Sequence, residues 1–283
     1  MALVDVHCHL NSKIFEGKLN EALEKSQKAG VKAIIVSGTN TASNKQVLEL
    51  AEKYKGKYDD ILKVSLGLHP IDALGLSEGE TGIPKQPGPI DLDKEFAFIE
   101  KNKDKILAIG EVGLDYYWDN NHHDQQREIF RKIVKFAVKI KKPLIIHTWK
   151  AEEDCLNILE EEVGSNAGEE GNDDKKNTKG KIPVILHCFG GRKSLITRGK
   201  ELGYYFTVPP SIVKGSNFQT LAKKVGIKQL LTETDAPWQA PVKETINEPA
   251  NVKIAIKKVA EVLSLSEEEV EKQIWQNYVK IFG

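Results

Sequence analysis

The chain has 283 residues, and its 41 Lys and Arg balance 41 Asp and Glu, so the formal net charge is zero. That balance excludes a basic protein that coats nucleic acid by bulk electrostatics, and any polyanion it handles must be gripped locally. No run reaches the roughly 18 uncharged apolar residues of a membrane span, and the start MALVDVHCHL lacks the basic and apolar regions of a signal peptide.

In chain order, short Val/Ile/Leu-rich runs at 3–8, 31–36, 62–68, 106–112, 144–147, 184–188, 204–208 and 229–234 predict eight strands. Helix-like segments lie between them, among them 18–29, 44–54, 124–140, 152–162 and 216–225. Strands that alternate with helices pair in parallel, because each crossover returns the chain to the same edge. Eight parallel strands close a barrel, so the expected fold class is α/β, a (β/α)8 TIM barrel. A chain this long can hold two domains, but such barrels reach this length as one, and one domain over 1–283 is expected. Helices at 249–263 and 266–281 would cap it, the second opened by a capping box, Ser266 with Glu269 three residues on. The Gly/Pro-rich stretch 74–91 reads as a rim loop. The stretch 164–181 has Ala167 as its one apolar residue and reads as a mobile polar insertion. Three widely spaced cysteines, Cys8, Cys155 and Cys188, argue against a disulfide framework and fit a reducing cytoplasm.

The chemistry gathers where the apolar runs stop. His7 and His9 share one face of the first strand, while Cys8 points the other way and reads as a small packed residue. Glu111 ends the fourth run, His147 the fifth, His187 the sixth and Asp235 the eighth. Four of only seven histidines occupy such ends. In a barrel these ends meet on the face where active sites are built. Imidazoles with carboxylates suit zinc, manganese and related divalent ions. Six candidates exceed the roughly three protein ligands that one catalytic zinc takes, and two ions sharing a carboxylate explain the surplus better. Such positions alone would serve phosphodiester, amide or carboxyl-ester hydrolysis equally.

His7-Cys-His9, Gly67-Leu-His-Pro70, Gly110-Glu-Val-Gly-Leu-Asp-Tyr-Tyr117, Gln126-Arg-Glu-Ile-Phe130, Pro143-Leu-Ile-Ile-His147, His187-Cys-Phe-Gly190, Glu233-Thr-Asp-Ala-Pro237, Asn247-Glu-Pro249 and Asn277-Tyr-Val-Lys-Ile-Phe-Gly283 span the whole chain. In this order they resemble the TatD family of metal-dependent deoxyribonucleases, among the amidohydrolase-like metal barrels. The resemblance implies two divalent ions (Zn, Mg or Mn), one held by His7, His9, Glu111 and Asp235, the other by Glu111, His147 and His187. It also implies hydrolysis of DNA phosphodiesters, on single strands or ends, by water activated between the ions, with Asp235 and Glu111 catalytic and Asp235 as general base.

Around this core the expectations are finer. Glu233 would orient a ligating histidine, and His69 would touch substrate. His122 and His123 read as surface residues, with Asp124 as the cap of the helix that follows. One of Tyr116, Tyr117 and Trp118 could stack on a base. The family usually has Arg two residues after the strand-five histidine and again before Asn-Glu-Pro; here Trp149 and Ile246 stand there. Arg192, Lys150 and Lys214 are the candidates to grip phosphate in their place. Two other readings stand beside the nuclease: an amide or carboxyl-ester hydrolase, such as a deacylase of misacylated tRNA, and a barrel that binds metal or a partner without turnover.

Overall fold

The computed structural model describes residues 2–58, 60–77, 82–166 and 181–283. Its eight strands are β1 Leu3–Cys8, β2 Val31–Ser37, β3 Leu62–Leu66, β4 Ala108–Asp115, β5 Leu144–Trp149, β6 Val184–Leu186, β7 Tyr205–Val208 and β8 Leu230–Thr232. They pair in sequence order, every ladder parallel, in one eight-stranded sheet. The helices are α1 Leu19–Ala29, α2 Thr41–Lys53, α3 Pro70–Ala73, α4 Leu92–Lys101, α5 His123–Ile140, α6 Glu152–Glu162, α7 Lys193–Glu201, α8 Ser216–Val225, α9 Val252–Leu263 and α10 Glu267–Phe282. This is the (β/α)8 barrel the alternation predicts.

Both faces of such a sheet are covered, which is why its strands are near-continuous apolar runs. In β2 every residue but Lys32 is buried. Helix α5 shows the matching surface: Phe130, Ile133, Val134 and Ala137 are buried at i, i+3, i+4 and i+7. It stops at Lys141, whose φ of 56° leaves the helical region, with Pro143 beyond. The capping box forms at α10, where Ser266 Oγ accepts from Glu269 N at 3.2 Å and Glu269 Oε2 accepts from Ser266 N at 2.8 Å. No helix among the described residues is long and apolar enough to cross a membrane.

Where element bounds differ from the apolar runs, side chains explain it. β3 stops at Leu66, not 68, because the Asn44 amide takes both backbone groups of Gly67: Oδ1 accepts from Gly67 N and Nδ2 donates to Gly67 O, each at 3.0 Å. β6 stops at Leu186 because Cys188 turns at φ 42° and its N–H donates to Glu233 Oε1 and Thr207 Oγ1. Helix α2 begins three residues earlier than the pattern suggested, capped by Asn40 Oδ1 accepting from Ser43 N at 2.9 Å. β4 starts later and runs on to Asp115, pairing with Trp149 of a longer β5. The chain from Pro249 enters α9 through a short 3-10 turn, Pro249–Asn251. The insertion expected at 164–181 lies outside the described residues except at 164–166 and 181. The described parts of the rim loop are anchored: Asn40 Nδ2 donates to Pro84 O and Lys13 N to Gly82 O, both at 2.9 Å.

β8 and β1 close the ring differently from the other pairs. Thr232 Oγ1 donates to Val4 O at 2.6 Å, and the fully buried Asp5 carboxylate accepts from Thr234 N at 2.8 Å and from Thr234 Oγ1. Just beyond, Asp235 N donates to His7 O at 2.9 Å and His9 N to Ala236 O at 2.7 Å. This seam sets Asp235 against His7 of β1 and His9 just past its end.

Candidate metal centre

The first strand turns Asp5, His7 and His9 one way and Val4, Val6 and Cys8 the other, as a two-residue period requires. Cys8 is fully buried and its Sγ lies 3.5 Å from Ile35 O, so it is a packed residue. His7 and His9 bring their Nε2 atoms to 3.1 Å of each other. Opposite them stands Glu111, which divides its two oxygens. Oε2 lies 3.3 Å from His9 Nε2 and 3.5 Å from His7 Nε2. Oε1 lies 2.8 Å from His147 Nδ1 and 3.5 Å from His187 Nε2. Asp235 completes the ring, Oδ1 at 3.6 Å from His7 and 3.7 Å from His9. A left-handed backbone (φ 54°), held by the bond from its N–H to His7 O, aims that carboxyl.

All six residues expected as ligands therefore converge. Donor atoms of His7, His9 and Glu111 lie within 4.8 Å of one another, as do those of Glu111, His147 and His187, and those of His7, His187 and Asp235. The donor set fits divalent cations: nitrogen and carboxylate oxygen in two groups, with one carboxylate common to both.

Charge and hydrogen bonding hold Glu111 and His7 in ligating states, whereas His147 and His187 hold protons that a cation must displace. Burial would raise the Glu111 carboxyl, but His7 beside it and hydrogen bonds from His147 and His187 hold it well below the usual carboxylate range. Burial and the neighbouring His187 push His7 down to about 4, leaving it neutral. Burial pushes His147 down too, yet Asp115 and Glu111 lift it to about 9. Cations compete with such protons, so their binding releases protons and tightens as pH rises.

His187, His7 and His147 each have a partner on the far nitrogen. His187 Nδ1 lies 2.9 Å from Glu233 Oε2, and Glu233 Oε1 accepts from Thr207 Oγ1 at 2.6 Å. His7 Nδ1 lies 3.0 Å from Ser37 Oγ, which accepts from Ser65 Oγ at 2.9 Å. His147 Nε2 lies 2.9 Å from Asp115 Oδ2. Glu233 was expected in this position, whereas Asp115, Ser37 and Ser65 were not singled out. The missed signal for Asp115 was its spacing, four residues after Glu111 and so on the same strand face. Partners of this kind fix ring orientation and ligand basicity. Asp115→Asn is thus expected to weaken cation affinity about 10–100-fold with the fold intact, measured by calorimetric titration. Unchanged affinity would remove Asp115 from the site.

The finer expectations divide. His69 is buried beside the site, its ring 4.5 Å from that of His147, and burial with His147 pushes it down to about 4. Arg192 is not free: its guanidinium donates to Glu153 Oε2 at 2.9 Å. Lys150 and Lys214 are exposed and make no ion pair among the described residues. Trp149 and Ile246 are exposed too. Asp124 is not the cap of α5: His122 occupies that place, and Asp124 sits in the first turn paired with Arg127. His122 lies 2.9 Å from Asp119 Oδ1 and His123 stacks on Tyr116 at 3.6 Å, so both are more engaged than surface residues. Tyr116 is fixed as well, its hydroxyl donating to Asp154 Oδ2 at 2.7 Å. Trp238, half-buried after the turn at Pro237, packs its ring 5.3 Å from His9 and was not foreseen.

Comparison with known proteins bears on this arrangement. The profile of the family described as TatD related DNase matches residues 4–283. A putative deoxyribonuclease TATDN3 of Mus musculus is 34% identical over 289 residues, covering 100% of this chain and 88% of the mouse protein. The deoxyribonuclease TATDN3 of Homo sapiens is 32% identical over 286 residues, covering 100% of this chain and 95% of the human one. The crystal structure of a TatD family hydrolase from Entamoeba histolytica superposes with a TM-score of 0.81 at 20% identity, covering 99% of this chain and 97% of that one, which speaks to the fold alone.

Proposed function

The chain belongs to the family of TatD related DNases, and on that footing we propose that it is a metal-dependent hydrolase cleaving DNA phosphodiesters and releasing nucleotides from single-stranded ends. The observation that carries this reading is Glu111, whose two oxygens face two separate pairs of imidazoles. Two divalent ions (Zn, Mg or Mn) would fit there: His7, His9, Glu111 and Asp235 would hold one, and Glu111, His147 and His187 the other. Such ions, when bound, supply Lewis-acid stabilisation of a phosphoryl group and a lowered pKa for water.

The protein's own groups do the remainder. Asp235 is the most open of the ligating carboxylates, its side chain 14% exposed against 6% for Glu111. It accepts the proton of the attacking water as general base. Asp115 and Glu233 keep the His147 and His187 rings aimed at Glu111, so no reorganisation is needed as charge develops. His69, against His147, lines the approach of the substrate. Lys150 and Lys214 offer exposed ammonium groups to the phosphates. The three thiols are unpaired, which suits the reducing cytoplasm.

One observation favours a second reading. Among the described residues Arg127, Arg131, Arg192 and Arg198 all make ion pairs, so bidentate phosphate contact requires an exposed pair such as Arg192 with Glu153 to open. An amide or carboxyl-ester substrate, such as a misacylated tRNA, needs no such contact at the cleaved bond.

A substrate panel separates the readings. Protein stripped of metal is reconstituted with Zn, Mg or Mn and offered single-stranded DNA, duplex DNA, an aminoacyl ester and a peptide amide. Nucleotides released from the single strand, without internal fragments, is the expected result. Ester or amide turnover with DNA untouched establishes the second reading instead.

A further inference from the structure

Three aromatic rings stand exposed where β4 and β5 end. Tyr117 is 53% exposed, Trp118 66% and Trp149 41%. The Tyr117 and Trp149 rings stack in parallel, centroids 4.3 Å apart and planes within 4°. Trp118 meets both edge-on, at 5.2 Å from Tyr117 and 6.2 Å from Trp149. Large rings in contact with one another yet left in water are unusual on a protein surface, because each forfeits burial it could have had. Their neighbour Tyr116 shows the ordinary outcome, packed on His123 and hydrogen-bonded to Asp154.

The rings are tied to the metal centre. Asp115 Oδ1 accepts from Tyr117 N and from Trp118 N, each at 2.9 Å, while Oδ2 of the same carboxylate holds His147 Nε2. Tyr116 N donates to Trp149 O at 2.9 Å, which closes the two strand ends together. Trp149 lies two residues past His147 on β5 and so on the same strand face, about 6.6 Å further along. Lys150 follows at once, exposed and in a left-handed conformation at φ 60°.

We propose that Tyr117, Trp118 and Trp149 form a stacking platform for an unpaired base of single-stranded DNA, with Lys150 meeting that nucleotide's phosphate. The inference rests on the hydrolase reading and adds the element that selects a single strand. Inside a duplex the bases are stacked on both sides, and at its end the terminal base remains paired to its complement, which these rings would have to accommodate as well. An unpaired base offers a π-surface of any sequence, and an adjacent cation suits its phosphate. The platform shares one carboxylate with a ligating histidine, so a base seated on it is held at a set position relative to the cleaved bond. A platform of this kind gives base-tolerant binding, with preference for unpaired ends over paired ones.

The test compares two strands in the full-length, metal-reconstituted protein: a single-stranded oligodeoxynucleotide and the same strand with abasic residues at its end. Wild-type KM should favour the intact strand about tenfold, as stacking of one base implies. That ratio should fall toward one in Trp149→Ala and in Trp118→Ala, and recover in part in Trp149→Phe. Binding is also read directly, by quenching of indole fluorescence with a phosphorothioate strand that is not cleaved. This readout keeps the platform testable even if the protein turns out to hydrolyse a different bond. Equal affinity of the wild type for intact and abasic strands would overturn the proposal, and so would an equal quench by an aromatic peptide without nucleotides.

Discussion

Glu111→Gln should lower the hydrolytic rate by about 10³-fold or more, because several kcal/mol of charge stabilisation depend on this one carboxylate. Gln keeps the shape and one acceptor, but it turns an amide NH2 toward either the His7/His9 pair or the His147/His187 pair. An NH2 donor opposes a cation and cannot share one. The side chain is 6% exposed, so no water takes over the lost oxygen freely. Elemental analysis should find at most one ion per chain where two are proposed for the wild type, and nucleotide release should fall with it. Gln is nearly isosteric, and a urea midpoint shows whether the fold survives. A variant that retains both ions and full turnover would end the shared-carboxylate account.

Asp235→Asn should cost about 10²–10⁴-fold in kcat, the range that a positioned general base contributes. Burial lifts this carboxyl to about 7, against the pull of His187 and His9. A base works deprotonated, so the rate rises with pH as the carboxyl ionises. Bound cations favour the ionised form and move that acid limb below 7. The Asn variant should be slow and lack the limb. A pH profile of kcat checks both points: the same acid limb in wild type and variant would assign the proton to another group. Both substitutions remove a proposed metal ligand, so metal content alone does not separate them; loss of the acid limb is the signature of Asp235→Asn.

The barrel and its six converging side chains were legible because they follow from short-range rules. Apolar runs alternating with helical segments admit few topologies, and ionisable residues at the ends of such runs face one mouth. What escaped depends on contacts across the chain. Asp115 looked like the start of a loop, since nothing local shows that β4 continues; its pairing with Trp149 of β5 does that. Arg192 has a partner that no local signal shows, Glu153, 39 residues away on a neighbouring helix, in an exposed pair that can still open to a phosphate. Asn44 reads as an ordinary helix residue and yet ends a strand by taking over the backbone of Gly67. Among Tyr116, Tyr117 and Trp118 the residue types are alike, and only packing separates the fixed ring from the exposed ones.

The seam between β8 and β1 has a consequence for the order of events in making this protein. Seven ladders join strands that are neighbours in the chain, whereas the bond from Thr234 N to Asp5 spans 229 residues. A chain grows from its N-terminus, and contacts of such long range form late. His7 and His9 are therefore synthesised well before Asp235 and wait for it, since it arrives with β8. Until that strand docks, the ring of proposed ligands is open on one side and the proposed proton acceptor is missing. A nascent or truncated chain consequently carries no complete hydrolytic site, and competence to cut arrives with closure of the barrel.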